Sequence, residues 1–383
     1  MKQSKNNAVK RIMSLALVLL MTAIFTLPEN ISYSYAADPS EEVDPVEIKV
    51  EKLLSKMTLS EKVAQMMIVA MPSDNAAEIQ SKRQYGGYIL FAPDFSRTNP
   101  KGMKKLLKSC QKSSKIPMLM GTDEEGGTVV RASLYGKYRN SRFRSPSQVY
   151  RQGGYTAIRK DTRKKDEFLK SLGLNTNFGP VADVPNSKSD FIYDRAFSKK
   201  AGKTAKFVKL CVKQMGKDNV VSTLKHFPGY GNNGDTHNRI IRDKRKKSSF
   251  VERDLKPFAS GINAGADMVM VSHVIVNAFD KKNPASLSPK VHSYLRNKMH
   301  FEGVIITDGL AMEGITDFVG GDEGKAAVKA VKAGNDMLCV TGDRNKCRKA
   351  LVKAVKNGSI PKSQINESVR RILRMKIKRG IIK

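Results

Sequence analysis

The 383-residue chain is predicted to fold as a single α/β domain of the (β/α)8 TIM-barrel type, and three observations carry that expectation. Eight short apolar runs alternate with helical stretches. Chemistry-bearing polar residues cluster directly after those runs, where a barrel collects its active site. The chain beyond its N-terminal leader also leaves room for long loops around a barrel of about 250 residues. A doubly wound open sheet shows the same alternation, so the clusters that follow the strands favour the barrel.

At the N-terminus, Lys2, Lys5, Lys10 and Arg11 precede an apolar run from Ile12 to Leu27, and Ser34-Tyr35-Ala36 offers small residues for a signal peptidase. Residues 1–36 therefore read as an export signal. The run has 16 residues, short of the roughly 20 that span a bilayer. Cleavage after Ala36 is expected over a retained anchor, giving a secreted or wall-associated protein with no stable membrane insertion. No cysteine follows the run to accept a lipid. Residues 37–50, acidic and proline-bearing from Asp38 to Glu47, read as a linker before a fold spanning 51–383.

The formal charge is +33, and the leader contributes four basic residues and Glu29, so the chain without it carries about +30. Such a field attracts polyanions at long range. Outside a cell, anionic wall polymers or anionic lipid are the expected partners, while the lack of tryptophan and of a binding motif argues against nucleic acid. Lysines that merely keep an exported protein soluble are the plainer explanation. Cys110, Cys211, Cys339 and Cys347 are scattered, and none forms a C-x-x-C pair. Free structural thiols are expected, with a Cys339–Cys347 bridge as the alternative. Five histidines without ligand-like spacing make a metal unexpected.

Strands are expected at Met66 to Ala70, Tyr88 to Phe91, Met118 to Gly121, Asn177 to Val181, Val220 to Leu224, Met268 to Ser272, Val304 to Thr307 and Met337 to Val340. Intervening helices are expected at Lys104 to Cys110, Thr204 to Met215 and Gly324 to Ala333. The residues delivered just past the strands are Asp123, Asp183, Lys225 with His226, His273 and Asp308.

The richest stretch is 221–241, VSTLKHFPGYGNNGDTHNRII, in which a β-rich run feeds a glycine loop ending in Asp235-Thr236-His237. Asp235 and His237 lie two apart and can face each other across a turn, where a carboxylate would orient an imidazole that carries a proton near neutral pH. A polar turn with an incidental histidine fits the same spacing. The loop also contains G-x-G-x-x-G at Gly229, Gly231 and Gly234. The following residues lack an apolar helical face, however, and a dinucleotide fingerprint needs a helix there. Val304 to Thr307 ends by presenting Asp308 beside Gly309, either as a reactive carboxylate or as a cap for the next helix.

These residues also carry a resemblance. KHFPGYG (Lys225 to Gly231) followed by Asp235-Thr236-His237 resembles the signature of glycoside hydrolase family 3 β-N-acetylglucosaminidases, except that Tyr230 stands where the family usually has histidine. Further segments match in order: MTLSEKVAQM (Met57 to Met66), GGYILF (Gly86 to Phe91), GTDEEGGTVVR (Gly121 to Arg131), YDRAFS (Tyr193 to Ser198) and ITDGLAMEGI from Ile306. The resemblance runs from about Met57 to Ile381. It implies Asp308 as nucleophile, His237 with Asp235 as the acid/base dyad, and Asp123, Arg131, Arg195, Lys225 and His226 as sugar-binding residues.

The family's β-glucosidases carry their acid/base glutamate in an additional domain, for which this chain has no room. The resemblance therefore selects the N-acetylglucosaminidase branch. It implies a retaining enzyme without a cofactor, expected as a monomer, that removes GlcNAc from peptidoglycan fragments. A phosphorylase of the same family is one alternative. A barrel kept as a non-catalytic adhesin for anionic wall polymers is the other.

Overall fold

The computed structural model describes residues 44–383, and in it the apolar runs become buried parallel strands. They are β1 (Met67–Ala70), β2 (Gly87–Leu90), β3 (Leu119–Thr122), β4 (Thr176–Asn177), β5 (Val221–Phe227), β7 (Met268–Val271), β9 (Val304–Gly309) and β10 (Met337–Val340). The eight close into a barrel in the order β1-β10-β9-β7-β5-β4-β3-β2. Side chains fill the inside and helices cover the outside, so both strand faces are buried and the strands read as continuous apolar runs. The expected helices lie within Pro100–Lys112, Ala201–Lys217 and Glu323–Ala333. The MTLSEKVAQM segment forms the helix Leu59–Gln65, whose N-cap Thr58 makes a reciprocal capping box with Glu61.

The expected export signal lies outside the described residues. The linker needs correction, because a helix spans Pro45–Ser55 and buries Val50 and Leu54. The proline and acids that suggested a linker are helix-start residues, with Pro45 leading and Glu47 in the first turn. Glu47 and Glu51 pair with Arg374 and Arg370 of the C-terminal helix Lys362–Lys378. No helix among the described residues is long and apolar enough to cross a membrane.

Two strands run further than the sequence pattern predicts, and both carry a bulge at the point where the chemistry sits. Between β5 and β7 the register passes from Leu224↔Val269 to Phe227↔Val271, one extra residue on β5 around Lys225 and His226. Between β9 and β10 it passes from Ile306↔Met337 to Gly309↔Cys339, one extra residue on β9 around Thr307 and Asp308. A bulge re-aims the side chains it carries, and an apolar pattern cannot announce it because the extra residues are polar. Two short strands escaped the sequence reading: β6 (Arg242–Asp243) pairs in parallel with β8 (Ile275–Val276), joining the loops after β5 and β7. Two residues each give no periodic signal.

The four cysteines are free and buried, so the Cys339–Cys347 alternative is not realised. Burial raises the Cys110 thiol to about 11 and those of Cys211 and Cys347 to about 12, which keeps them unreactive.

Lys376 is buried in the C-terminal helix, where its Nζ donates to Gln65 Oε1 at 2.9 Å and to the Gly86 carbonyl at 3.0 Å. With no carboxylate paired to it among the described residues, burial lowers the ammonium to about 7. The unfolded chain keeps that proton up to about pH 10, so between the two values the unfolded state binds more protons and stability rises with pH. Asp166 acts in the opposite sense over part of the window, since burial and the neighbouring Asp218 hold its carboxyl up at about 9. The isolating comparison is therefore with Lys376→Met. In urea unfolding, the wild type should gain about 2 kcal/mol relative to that variant between about pH 7 and pH 9.

Candidate active site

The side chains of the strand tips meet in a cleft of about 700 Å³. Asp123, Arg131, Arg195, Lys225, His226, Asp235, His237 and Asp308 all line it, so every site residue expected from the sequence reaches one cavity. On one side stands a buried ionic cluster. Lys225 Nζ lies 2.7 Å from Asp123 Oδ1 and 2.6 Å from Glu125 Oε1. Arg195 grips Glu125 with two bonds, Nε to Oε2 at 3.0 Å and Nη2 to Oε1 at 2.8 Å. Burial alone would raise the Glu125 carboxyl, but the Arg195 and Lys225 charges hold it far below the carboxylate range. Arg131 reaches Asp123 only at 3.6 Å and keeps a buried Nε–H without an acceptor among the described residues.

Glu125 is the member of this ionic cluster that the sequence reading passed over; it stands behind the cleft wall rather than lining it. It lies in the same DEEGG turn as Asp123, and one anion could not balance two buried cations. Asp183, expected only as a residue beyond a strand, organises the tip of β5. Its Oδ2 accepts from the His226 N–H at 3.0 Å and pairs with His226 Nδ1 at 2.8 Å, while its Oδ1 accepts from the Tyr230 N–H at 2.7 Å. An aspartate accepts and a guanidinium donates, so Nδ1 of His226 carries the proton and Nε2 receives the Arg195 N–H at 3.2 Å.

Asp308 is half-buried at the end of β9, with Oδ1 accepting from the Gly309 N–H at 2.8 Å. Its Oδ2 has no hydrogen-bond partner among the described residues. Burial would raise its carboxyl, yet the imidazoles of His226 and His273 and the Gly309 amide together lower it. It does not cap a helix: the next one, Glu313–Val319, starts from Met312. His273 lies buried behind β9 rather than in the cleft. Its Nε2–H donates to the Gly309 carbonyl at 2.9 Å, and its Nδ1 accepts from Ser286 Oγ at 2.7 Å. It fixes the backbone that presents Asp308.

On the far side of the cleft the His237 imidazole is exposed, and its Nδ1 lies 2.6 Å from Asp235 Oδ1. The same oxygen accepts the His237 N–H at 2.9 Å, an Asx turn that explains the spacing of two. The loop is fastened at both ends. Arg245 binds Asp243, Asp254 and the Gly229 carbonyl near its base. Gly231, with φ of +57°, passes so close to Arg245 that a Cβ would lie 2.2 Å from the guanidinium. At the tip, Gly314 N–H donates to the Thr236 carbonyl at 3.0 Å and Glu313 N–H to the His237 carbonyl at 3.2 Å. A Cβ on Gly314 would lie 2.7 Å from the Thr236 and Arg239 carbonyl oxygens. The histidine loop is thus docked on the helix that follows Asp308.

No helix begins at Gly229, Gly231 or Gly234, so the loop has no dinucleotide geometry. Tyr230 is not a gap in the packing. Its ring meets His226 edge to face at 5.0 Å, and its buried hydroxyl lies 2.7 Å from Thr236 Oγ1.

The glycosyl hydrolase family 3 N-terminal domain pattern matches residues 58–375. A protein of Idiomarina loihiensis named beta-hexosaminidase is 31% identical over 82% of this chain and 92% of its own length. The chain belongs to glycoside hydrolase family 3. A beta-hexosaminidase of Methylococcus capsulatus is likewise 31% identical, over 67% of this chain and 75% of the relative. The solved family 3 β-N-acetylglucosaminidase of Paenibacillus sp. FPU-7 superposes with a TM-score of 0.79 at 29% identity, covering 85% of this chain. The match spans 63% of that longer protein.

For this family 3 chain, Tyr230→Phe removes one hydroxyl and leaves the buried Thr236 hydroxyl without its partner. A loss of about 1 kcal/mol is expected. Hydrogen exchange should accelerate at residues 231–238 and stay unchanged in the barrel strands.

Proposed function

We propose that this family 3 enzyme is an exported, retaining β-N-acetylglucosaminidase that removes GlcNAc from peptidoglycan fragments. The observation that carries the reading is the cleft that joins an ionised Asp308 to the Asp235–His237 dyad, on a loop docked against the helix after Asp308. The relatives named beta-hexosaminidase support the sugar, and the basic, apolar leader supports export.

In the first step an Asp308 oxygen attacks the anomeric carbon as the glycosidic bond breaks. His237, protonated on both nitrogens and held through Nδ1 by Asp235, gives its Nε2 proton to the departing oxygen. A glycosyl ester on Asp308 results. In the second step Nε2 of the now neutral imidazole takes a proton from water, whose oxygen attacks the anomeric carbon and displaces the Asp308 carboxylate. Asp123, Arg195 and Lys225 present directional charge-assisted donors and acceptors to the sugar hydroxyls, with Glu125 behind them holding the two cations in place. Phosphate in place of water would make the same ester a phosphorolysis intermediate, so products are assayed with and without phosphate.

Release of GlcNAc from defined muropeptides by the purified chain tests the reading, and release of glycosyl phosphate in its place would overturn the hydrolase assignment. Asp308→Ala should lower turnover more than about a hundredfold with the fold intact. His237→Ala should depress kcat on muropeptides far more than on an activated aryl glycoside, since only a poor leaving group needs the proton. Asp235→Ala should reproduce that dependence in weaker form. Equal losses on both substrates would remove His237 from the acid role.

A further inference from the structure

The uneven treatment of positive charge around the barrel calls for explanation. Several partly buried arginines are paired with carboxylates: Arg296 and Arg371 with Asp336, Arg374 with Glu47, Arg379 with Asp267. The outer face formed by the helices Glu323–Ala333 and Arg344–Lys356 does the reverse. Between them runs a groove of about 740 Å³ lined by Lys325, Lys329, Lys332, Lys346, Lys349 and Lys353, all exposed. Among the described residues only Lys346 has a carboxylate partner, Asp322 at 3.2 Å. Lys349 and Lys353 also border an adjoining hollow with Lys356 and Arg348.

The spacing makes the array a surface feature rather than a scatter. Lys325, Lys329 and Lys332 recur at steps of four and three, as do Lys346, Lys349, Lys353 and Lys356, so each set shares one helix face and rises about 5 Å per step. Like charges at such spacing cost each helix a few tenths of a kcal/mol per pair. Val328, Ala350 and Ala354 lie between the rows, giving the groove an apolar floor and two cationic walls.

We propose that this groove binds a linear phosphodiester polyanion, laid along the helices with successive phosphates taken by the two lysine rows. A concave trough fits a chain better than a flat bilayer, and lysines serve repeating phosphates as mobile point charges without demanding one fixed geometry. The inference deepens the wall-associated reading above and takes its choice of polymer from it. The groove lies outside the catalytic cleft and shares no residue with it, so the enzyme can hold an anionic polymer while its cleft works on a neutral sugar.

The test uses the full chain and lipid-free poly(glycerol phosphate), with affinity measured between about 0.05 and 0.3 M salt. The groove variant Lys329→Glu/Lys349→Glu/Lys353→Glu is compared with Lys160→Glu/Lys164→Glu/Lys209→Glu, which changes net charge equally on another exposed face. The groove variant should bind at least tenfold more weakly, with a salt slope smaller by about two to three, while the control loses less than threefold. Both should keep wild-type turnover of an aryl N-acetylglucosaminide, which excludes misfolding. Equal losses in the two variants would overturn the groove and leave only a diffuse field. A groove variant that loses phosphatidylglycerol vesicles but keeps the polymer would overturn the occupant. No polymer binding by the wild type would sink this inference and the wall association together. Polymer binding without turnover would sink the hydrolase reading and leave the groove standing.

Discussion

Two cations, the buried Lys225 at the tip of β5 and the partly buried Arg195, meet at the cleft, and the site depends on the two carboxylates that balance them. Glu125 contacts both, and Asp123 completes the coordination of Lys225. Burying such groups contributes little net stability, because desolvation offsets the attraction. The return is geometry: Asp123, Arg195 and Lys225 are held at the wall of the cleft in one fixed arrangement, with Glu125 behind them. Arg195 extends the network to His226, whose other nitrogen reaches Asp183, and Asp183 in turn ties down the start of the loop that carries Asp235 and His237.

The Asp235–His237 loop and Asp308 are coupled by backbone as well as charge. The docking of Thr236 and His237 carbonyls on the amides of Gly314 and Glu313 makes one rigid unit of the dyad and the helix after Asp308. His273 completes that unit from behind by holding the Gly309 carbonyl. Asp308 and His237 line the same cleft, and these backbone bonds fix the loop that carries one against the helix that follows the other. Among the described residues, Lys225 and Arg195 are matched by carboxylates, whereas most of the lysines on the helices Glu323–Ala333 and Arg344–Lys356 are not.

The barrel was legible because buried parallel strands leave continuous apolar runs, and all eight were found within a few residues. Their ends were less so. The pattern stops at Leu224 and Thr307, where polar residues begin, although the strands continue through bulges that carry Lys225, His226 and Asp308. The Asp235–His237 dyad was visible from its spacing of two. Glu125 was hidden in a turn rich in acids, and Asp183 and His273 stood out only as polar residues after strands, because their partners lie far away in sequence. The linker was misread where a helix start shares its acids and proline. Tyr230, which departs from the family pattern, proves to be packed by contacts that no local pattern announces.

The central claim is that Asp308 carries the sugar between two displacements. Its most direct test is mass spectrometry of the chain after reaction with an N-acetyl-5-fluoroglucosaminyl fluoride, a donor that forms the ester but releases it slowly. One glycosyl group on the peptide containing Asp308, together with β-anomeric GlcNAc as the first product of ordinary turnover, is what the account predicts. A label on another residue, or no label and an α-anomeric first product, would contradict it.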